Sequence, residues 1–502
     1  MQTGAEEFVL SRVTPGRIAA AILIFAALAA GLHGIGRSLW LDEAWVANSV
    51  KAPTLSGMFV YPGWLQSNPP LFLLLTRVAV RAYGLSNASF RIVPLLFSLV
   101  AIMAMLAAGR QLFVPSLAVL ASALVAFHPS VIEYSHTLKP YSVELCASAI
   151  LILATIRYLK QPGRREYLWL LAAAAISPPL AYASAFLLPG VFLAVCATGA
   201  PDRGKRIALL TTVSGGSLLA IYLFCIRPNV SPELYAFWDT TFNNRIMASL
   251  MVALLFCIGA VVSSGLKALS GTAGWRDWTR IMCVLPCLLL GASLALRWYP
   301  ASRRTLLFLL PCFSLLLMMV ADDLTRRLGT LRRALNVTAW GLTLVIVSQA
   351  IARPLIGPLD QPVENFAGAV RFLQQHVAPR DIVLVHACCK EGFDLYASMY
   401  GWHIPPVIYG ETGWPCCARG KDARPGTSTK QKVFQDLDSK IPPRFSGRIW
   451  LVYTTRPTHW AYAGLDEAYL WRVHVWERGC PAGPTFDFGN LTVVPMNCAE
   501  VR

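Results

Sequence analysis

Apolar residues run through the first two thirds of the chain in blocks long enough to cross a bilayer, and the blocks stop after Pro354. A ~30 Å hydrocarbon core needs about 17–25 residues of helix. On that measure about eleven blocks qualify as crossings: 18–36, 91–109, 112–128, 142–159, 166–180, 182–199, 207–226, 245–264, 281–297, 304–320 and 336–353. The first is too long for the apolar region of a cleaved signal and lacks a small-residue cleavage site, so it predicts a retained anchor. Between the first two blocks lies a stretch, 37–90, too long for a simple connection. Within it Pro70–Tyr83 is apolar but too short to span, and Arg77 and Arg81 sit one helical turn apart. That pattern predicts a helix lying in the interface. The alternative, a re-entrant hairpin with part of 91–109, would put both arginines into lipid.

After Pro354 the period changes. Phe366, Val370, Leu373 and Val377 recur at helical spacing within 363–377, and the short runs 381–387, 448–454, 471–476 and 491–495 read as strands. The intervening 411–446 is rich in Pro, Gly, Lys and Asp and reads as loop. No internal repeat or low-complexity tract is present. The expected fold class is an α-helical polytopic membrane protein with a C-terminal soluble α/β domain: a transmembrane region over 1–353 and a soluble domain over 354–502.

Composition agrees with this division. Of 502 residues 55% are hydrophobic and 14% charged, with a mean hydropathy of +0.52, a balance foreign to water-soluble globules. The net charge of +17 is mostly topogenic. Arg12 and Arg17, Arg110, Lys160 with Arg164 and Arg165, Arg203 with Lys205 and Arg206, Lys267 with Arg276 and Arg280, and the arginines 326, 327, 332 and 333 fall in alternate loops. The positive-inside rule makes those loops cytoplasmic. An odd number of crossings then places the N-terminus in the cytoplasm and 354–502 on the periplasmic side of an inner (plasma) membrane. Charge spread loop by loop excludes nucleic acid as a partner. The cysteines divide the same way. Seven lie in predicted spans as small core residues, while Cys388, Cys389, Cys416, Cys417, Cys480 and Cys498 form an even set in an oxidising compartment, where disulfides are expected with open connectivity.

The candidate chemistry gathers on one membrane face. Directly after the first span stands Ser38-Leu39-Trp40-Leu41-Asp42-Glu43-Ala44-Trp45. Acidic residues in a first helical turn complement the dipole, which is the purely structural explanation. The same face, however, receives Asn68-Pro69-Pro70-Leu71, the loop His128 to Tyr141 containing Glu133, Tyr134, His136 and Lys139, and Tyr299-Pro300-Ala301-Ser302-Arg303-Arg304. A carboxylate beside fixed cations is what sugar transfer from a lipid phosphate needs: a base for the acceptor and positive charge for the departing phosphate.

The order and spacing of these segments resemble the GT-C superfamily of membrane glycosyltransferases, and within it the branch holding protein O-mannosyltransferases, the lipid A aminoarabinose transferase and the lipopolysaccharide-core galacturonosyltransferases. The likeness is carried by Asp42-Glu43 after the first span, Pro69-Pro70-Leu71, the Tyr-Ser-x-x-x-Lys-Pro-Tyr run at 134–141, Arg303-Arg304 before a Leu- and Pro-rich span, and the terminal α/β region. It covers nearly the whole chain, through the order of the motifs rather than any one of them. The resemblance implies an inverting transfer from a polyprenyl-phosphate sugar. It makes Asp42 the general base in preference to Glu43, gives Lys139, Arg303 and Arg304 the donor phosphate, and gives Asn68, Tyr134, His136 and Tyr141 to substrate. The chain departs from the family where Arg is common in place of Lys139, Arg-Tyr in place of Arg303-Arg304, and a charged residue or His in place of Asn68. Expected partners are the lipid-linked sugar, membrane lipids and an acceptor, which the sequence leaves open among lipid A, another envelope glycan and protein.

Other readings were weighed. His128, Glu133 and His136 match no standard zinc spacing, so polar packing is favoured over a divalent ion and no cofactor is expected. A four-cysteine zinc site at Cys388, Cys389, Cys416 and Cys417 is disfavoured against disulfides. Trp402, His403, Trp414 and Trp460 could stack on a sugar, though aromatics of a soluble domain are more often core. The alternative function is a transporter or lipid flippase without glycosyl transfer, which would show polar or broken helices at mid-membrane and repeat symmetry. A third is a receptor-like protein in which Asp42 and Glu43 only cap a helix.

Overall fold

The computed structural model describes residues 14–60, 67–200, 202–230, 264–296, 304–327, 332–356, 363–386, 389–402, 407–409, 430–454 and 467–499, together with 262, 299 and 329. The predicted span 245–264 falls almost wholly outside them, as do Arg303, Cys388, Cys416, Cys417, His403, Trp414 and Trp460.

The chain enters as α1 (Pro15–His33), followed by α2 (Leu41–Lys51), the short α3 (Leu55–Phe59), α4 (Pro70–Tyr83) and the long α5 (Asn87–Leu112). Local signals set these boundaries. Thr54 caps α3 by accepting from Gly57 N at 3.0 Å. Tandem prolines start α4 and Gly84, at φ +78°, ends it. Ser86 and Ser89 cap α5 reciprocally, each side chain accepting from the other's backbone N–H at 3.0–3.1 Å. Helix α4 occupies the segment the sequence predicts, and the Arg77 guanidinium donates to the Pro53 carbonyl at 3.4 Å.

Helices α6 (Pro115–Ala126) and α7 (Pro129–Ser135) follow, bent by 62° at the break before Pro129. Then come α8 (Tyr141–Lys160), α9 (Arg164–Leu180), α10 (Leu188–Ala197), α11 (Arg203–Ile221), α12 (Trp275–Ala295), α13 (Leu310–Arg327) and α14 (Arg332–Ile356). Among the described residues six helices are long and apolar enough to cross a membrane, within α1, α5, α8, α11, α12 and the segment Leu307–Arg327, and a seventh if the bent pair α6–α7 counts as one span. The chain is a multi-pass membrane protein. The other predicted crossings fall on elements outside that set: α9 has 17 residues and two prolines near its end, and 182–199 divides into a 3-10 turn and the 10-residue α10. The largest apolar core is built from α5, α6, α8, α12 and α13, with Tyr158, Phe308 and Met319 fully enclosed.

The C-terminal region adds α15 (Phe366–His376), β1 (Ile382–Val385), α16 (Lys390–Met399), β2 (Val407–Tyr409), α17 (Lys430–Lys440), β3 (Gly447–Thr454), α18 (Glu467–Glu477), β4 (Phe486–Phe488) and β5 (Leu491–Cys498). The sheet order is β2-β1-β3-β5-β4, parallel across the first three strands and antiparallel across β3, β5 and β4. Two expectations are corrected. The run 471–476 is helical, inside α18: Leu470, Trp471 and Val475 share its buried side under the sheet, and Trp471 is fully buried. Part of the expected loop 411–446 is α17, whose Val433 and Leu437 cover the same sheet face. Cys480 and Cys498 form a disulfide, while Cys389 is a buried free thiol.

The two sheet faces have different partners. Successive strand residues point to opposite sides, so Ile382 and Leu384 pack on α17 and α18, whereas Val383, Val385, Trp450 and Val452 pack on α15, α16 and, beyond them, Leu39, Ala44, Trp45, Phe72 and Phe90 of the first loop region. The sheet therefore shares one core with α2 and α4 and forms a backing for the segment carrying Asp42.

Candidate active site

Asp42 and Glu43 open α2, and their side chains part company. Glu43 is 1% exposed. Arg91 Nε donates to its Oε1 at 2.9 Å and Arg91 Nη2 to its Oε2 at 2.6 Å. Leu138 N donates to Oε1 at 2.6 Å, and Trp40 N to Oε2 at 3.3 Å, which caps the helix. Arg91, only 3% exposed, spends its remaining donors on the carbonyls of Gly34, Ile35, Arg37 and Ser38. This pair ties the end of α1, the start of α2 and the turn before Lys139 into one knot. It leaves Glu43 no free lone pair directed at a substrate. Sequence reading missed Arg91; the available signal was a cation in the first turns of a long apolar helix, a costly place without a partner.

Asp42 faces the other way. Its Oδ2 accepts from Arg304 Nη1 at 3.2 Å and lies 3.9 Å from Lys139 Nζ. The Asp42 side chain is 20% exposed and that of Arg304 30%, so the cluster is open on one side. Tyr134 and Tyr141 pack edge to face beside it, 4.8 Å between ring centroids, and both lie within electrostatic reach of Arg304 and Asp42. Residues from α2, the α7–α8 turn and the segment before Leu307 thus converge, over sequence separations of up to 262 residues.

Helix α2 is held from the C-terminal region as well. Glu364 accepts from Leu41 N at 2.9 Å. The Tyr396 hydroxyl accepts from Leu39 N at 2.7 Å and donates to Asn87 Oδ1 at 2.6 Å. These contacts, also unforeseen, fix the backbone on which Asp42 stands.

The remaining expected residues are dispersed around this centre. Asn68 is buried at the start of α4, its carbonyl accepting from Tyr182 OH at 2.9 Å. His136 lies outside the Asp42 cluster. It packs on Gly34, where an added Cβ would come within 2.4 Å of its ring, and burial followed by the Arg37 and Arg91 charges pushes its pKa down to about 3. It is therefore neutral. Glu144, one turn into α8, is 6% exposed and its Oε2 has no hydrogen-bond partner among the described residues; it neighbours Tyr141, Tyr182 and Tyr299. Among the described residues no group of three or more His, Cys, Asp or Glu side chains is arranged to hold a metal ion.

Comparison with known proteins gives a family match over part of the chain and a likeness of fold. Residues 67–231 match the family described as dolichyl-phosphate-mannose-protein mannosyltransferase. No curated protein matches the full sequence. Among solved structures, ArnT from Cupriavidus metallidurans in the apo state aligns with a TM-score of 0.52 at 12% identity, covering 95% of this chain and 97% of that one. The Archaeoglobus fulgidus oligosaccharyltransferase, in complex with Zn and sulfate, aligns with a TM-score of 0.51 at 12% identity over 87% of this chain and 67% of that one. The family match covers 67–231 alone, and the likeness to these two solved structures is one of fold.

Proposed function

We propose that this protein transfers a sugar from a polyprenyl-phosphate donor to an acceptor hydroxyl at the membrane face where Asp42 stands, with inversion at the anomeric carbon. The observation that carries the reading is the Asp42–Arg304–Lys139 cluster, a carboxylate and two cations collected from three distant segments and left open on one side. The family matched over 67–231 is described by a lipid-phosphate donor, dolichyl-phosphate-mannose, which supports the donor class.

In the step proposed, the acceptor oxygen attacks the anomeric carbon while the bond from that carbon to the phosphate oxygen breaks. Asp42 takes the acceptor proton, and polyprenyl phosphate leaves with the bonding electrons. Arg304 and Lys139 stabilise the charge that grows on the phosphate, with Arg303 as a further candidate. The cations that hold Asp42 in the free protein would be drawn to the donor phosphate, releasing the carboxylate to the acceptor. Glu43 serves the geometry, since its oxygens are already committed to Arg91 and to backbone donors. Tyr134 and Tyr141, beside Asp42 and Arg304, are the proposed substrate contacts. On this reading the site and the α/β region lie on the periplasmic side of an inner membrane, following the distribution of basic loops.

The test is purified protein incubated with sugar-labelled polyprenyl phosphates and an envelope extract as acceptor. Wild type should release polyprenyl phosphate and pass label to the acceptor. Asp42→Asn, which keeps size and loses basicity, should turn over about 10²–10⁴-fold more slowly while still binding donor. Undiminished turnover in Asp42→Asn would reject the assignment of the base, and wild type inactive on every donor lipid would reject the reaction class.

A further inference from the structure

A second cavity lies at the far end of α8. Helix α8 runs from Tyr141, beside the Asp42 cluster, to Lys160. Its 20 residues, rising about 1.5 Å each, cover roughly the ~30 Å of a hydrocarbon core. The cavity, about 660 Å³, is a groove between the second half of α8 and α9. One end carries Arg157, Lys160, Gln161, Arg165 and Glu166; the remainder is apolar, walled by Ile150, Leu153, Ala173 and Ile176 and flanked by Trp169, 62% exposed. Along α8 the wall runs from Lys160 back to Ala147, thirteen residues or roughly 20 Å.

Several cations on the same side of the protein are already engaged. Arg276 pairs with Asp322, and Arg280 with Asp277 and Asp323. Arg206 donates to Pro162 O and covers the Tyr167 ring. Lys160 is held by Gln111 and lies over the Trp275 ring. Arg157 and Arg165 make no ion pair among the described residues, Glu166 at the same rim included, and both are exposed. Two exposed guanidiniums and an ammonium at one end of an apolar trough, beside an exposed tryptophan, match a phosphodiester headgroup with its acyl chain.

We propose that this groove binds an anionic glycerophospholipid of the leaflet opposite the Asp42 site, with Arg157 and Arg165 on the phosphate and one acyl chain between α8 and α9. Helix α8 begins at Tyr141 beside the Asp42 cluster, so the lipid packs against a helix that reaches the transfer site. A single basic side chain near an anionic membrane surface contributes roughly fivefold to binding, so two at a common phosphate give a signal well above background.

The experiment is native mass spectrometry of the full-length protein, delipidated in detergent and titrated with phosphatidylglycerol, phosphatidylcholine or undecaprenyl phosphate. Expected are one saturable phosphatidylglycerol adduct, at least tenfold tighter than phosphatidylcholine, and its loss by at least fivefold in Arg157→Gln/Arg165→Gln. The control Arg203→Gln/Lys205→Gln removes the same charge from the first turn of α11 and should leave the adduct intact. Ala173→Phe, which fills the trough and keeps every cation, should also weaken it, and each variant is first shown to elute as a single folded species. Equal loss in the control would overturn the proposal in favour of general attraction to basic loops. Preferential binding of undecaprenyl phosphate to the groove would overturn the choice of lipid.

Discussion

Asp42 and Glu43 are neighbours in sequence and opposites in environment. Glu43 meets one arginine through two short hydrogen bonds, accepts two backbone donors and is closed to solvent. Asp42 meets two cations through a single oxygen, one of them at 3.9 Å, and stays partly exposed. Consecutive side chains at the start of a helix diverge by about 100°, so one turn of α2 presents one carboxylate to the core and one to a partly exposed pair of cations. The difference teaches how to separate structural from chemical charge. A buried ion whose every lone pair is used is holding something together, while a cluster of charges with spare bonding capacity, open on one side, is placed to meet a ligand.

The comparison breaks most visibly at the knot. Removing one partner of a buried pair leaves an unmatched charge in the core, at about 3–5 kcal/mol. Arg91→Leu should therefore lose folded protein, read as a lowered melting temperature and poor recovery from the membrane, and Glu43→Gln should follow it. Asp42→Asn should leave melting unchanged. If Glu43→Gln folds and melts like wild type but is inactive, the division of labour argued here is reversed.

Second in size is the phosphate clamp. Hydrogen bonds to charged groups contribute about 1.5–3 kcal/mol, roughly 10–150-fold in binding. Lys139→Ala and Arg304→Ala should each weaken use of a polyprenyl-phosphate donor within that range, with little change in thermal stability. Donor titrations that superimpose on wild type for both variants would remove these cations from the site.

How much of this was legible in the sequence follows from the range of each interaction. Helix α4 is local, bounded by tandem prolines and a positive-φ glycine, and its limits were readable to the residue. Asp42, Lys139 and Arg304 were readable as candidates because each is a charged residue at the edge of an apolar block. Their contact was not, since it closes across as many as 262 residues. Arg91 was hidden by its apolar helix, and Glu364 and Tyr396 by lying 323 and 357 residues from the backbone they hold. Alternation misled at 471–476, where Trp471, Val473 and Val475 suit a strand; in α18 Trp471 and Val475 lie one turn apart on the buried side, and tertiary packing against the sheet decided.

A third effect, smaller again, tests whether the C-terminal region positions Asp42 or merely covers it. Tyr396→Phe leaves Leu39 N without its acceptor and Asn87 without its donor, a loss of about 1–3 kcal/mol for buried groups left unpaired. Glu364→Gln keeps an oxygen for Leu41 N and should cost less. If these residues position α2, Tyr396→Phe lowers kcat more than it raises the donor KM, and Glu364→Gln retains most activity. Equal changes in both variants would assign Tyr396 to stability alone.

The smallest expected effect is one of pH, at the contact between α16 and α2. There Asn48 donates to the Glu391 carbonyl and carboxylate at 3.2 and 3.4 Å, and Lys51 Nζ reaches Ser398 Oγ at 3.1 Å. Burial, then the neighbouring Asp394, raises the Glu391 pKa from 4.5 to about 7, with Lys390 opposing. Burial likewise raises Asp394 from 3.8 to about 6 against Lys390 and Lys51, and Tyr409 OH donates to its carboxylate. A carboxyl whose folded pKa lies above its unfolded value binds protons more tightly when folded. Its stabilising contribution is complete below about pH 4.5 and fades as pH rises through about 7. The docking of α16 on α2 should therefore loosen between pH 5 and 8, lowering the melting temperature by a few degrees, on the order of 2–4 °C for ~1 kcal/mol in a domain of this size. Glu391→Gln carries no ionisable proton at this position and should flatten most of that slope; Asp394→Asn should flatten the part nearer pH 6. A melting temperature that rises from pH 5 to 8, or a slope unchanged in both variants, would show that these two carboxyls do not govern the contact.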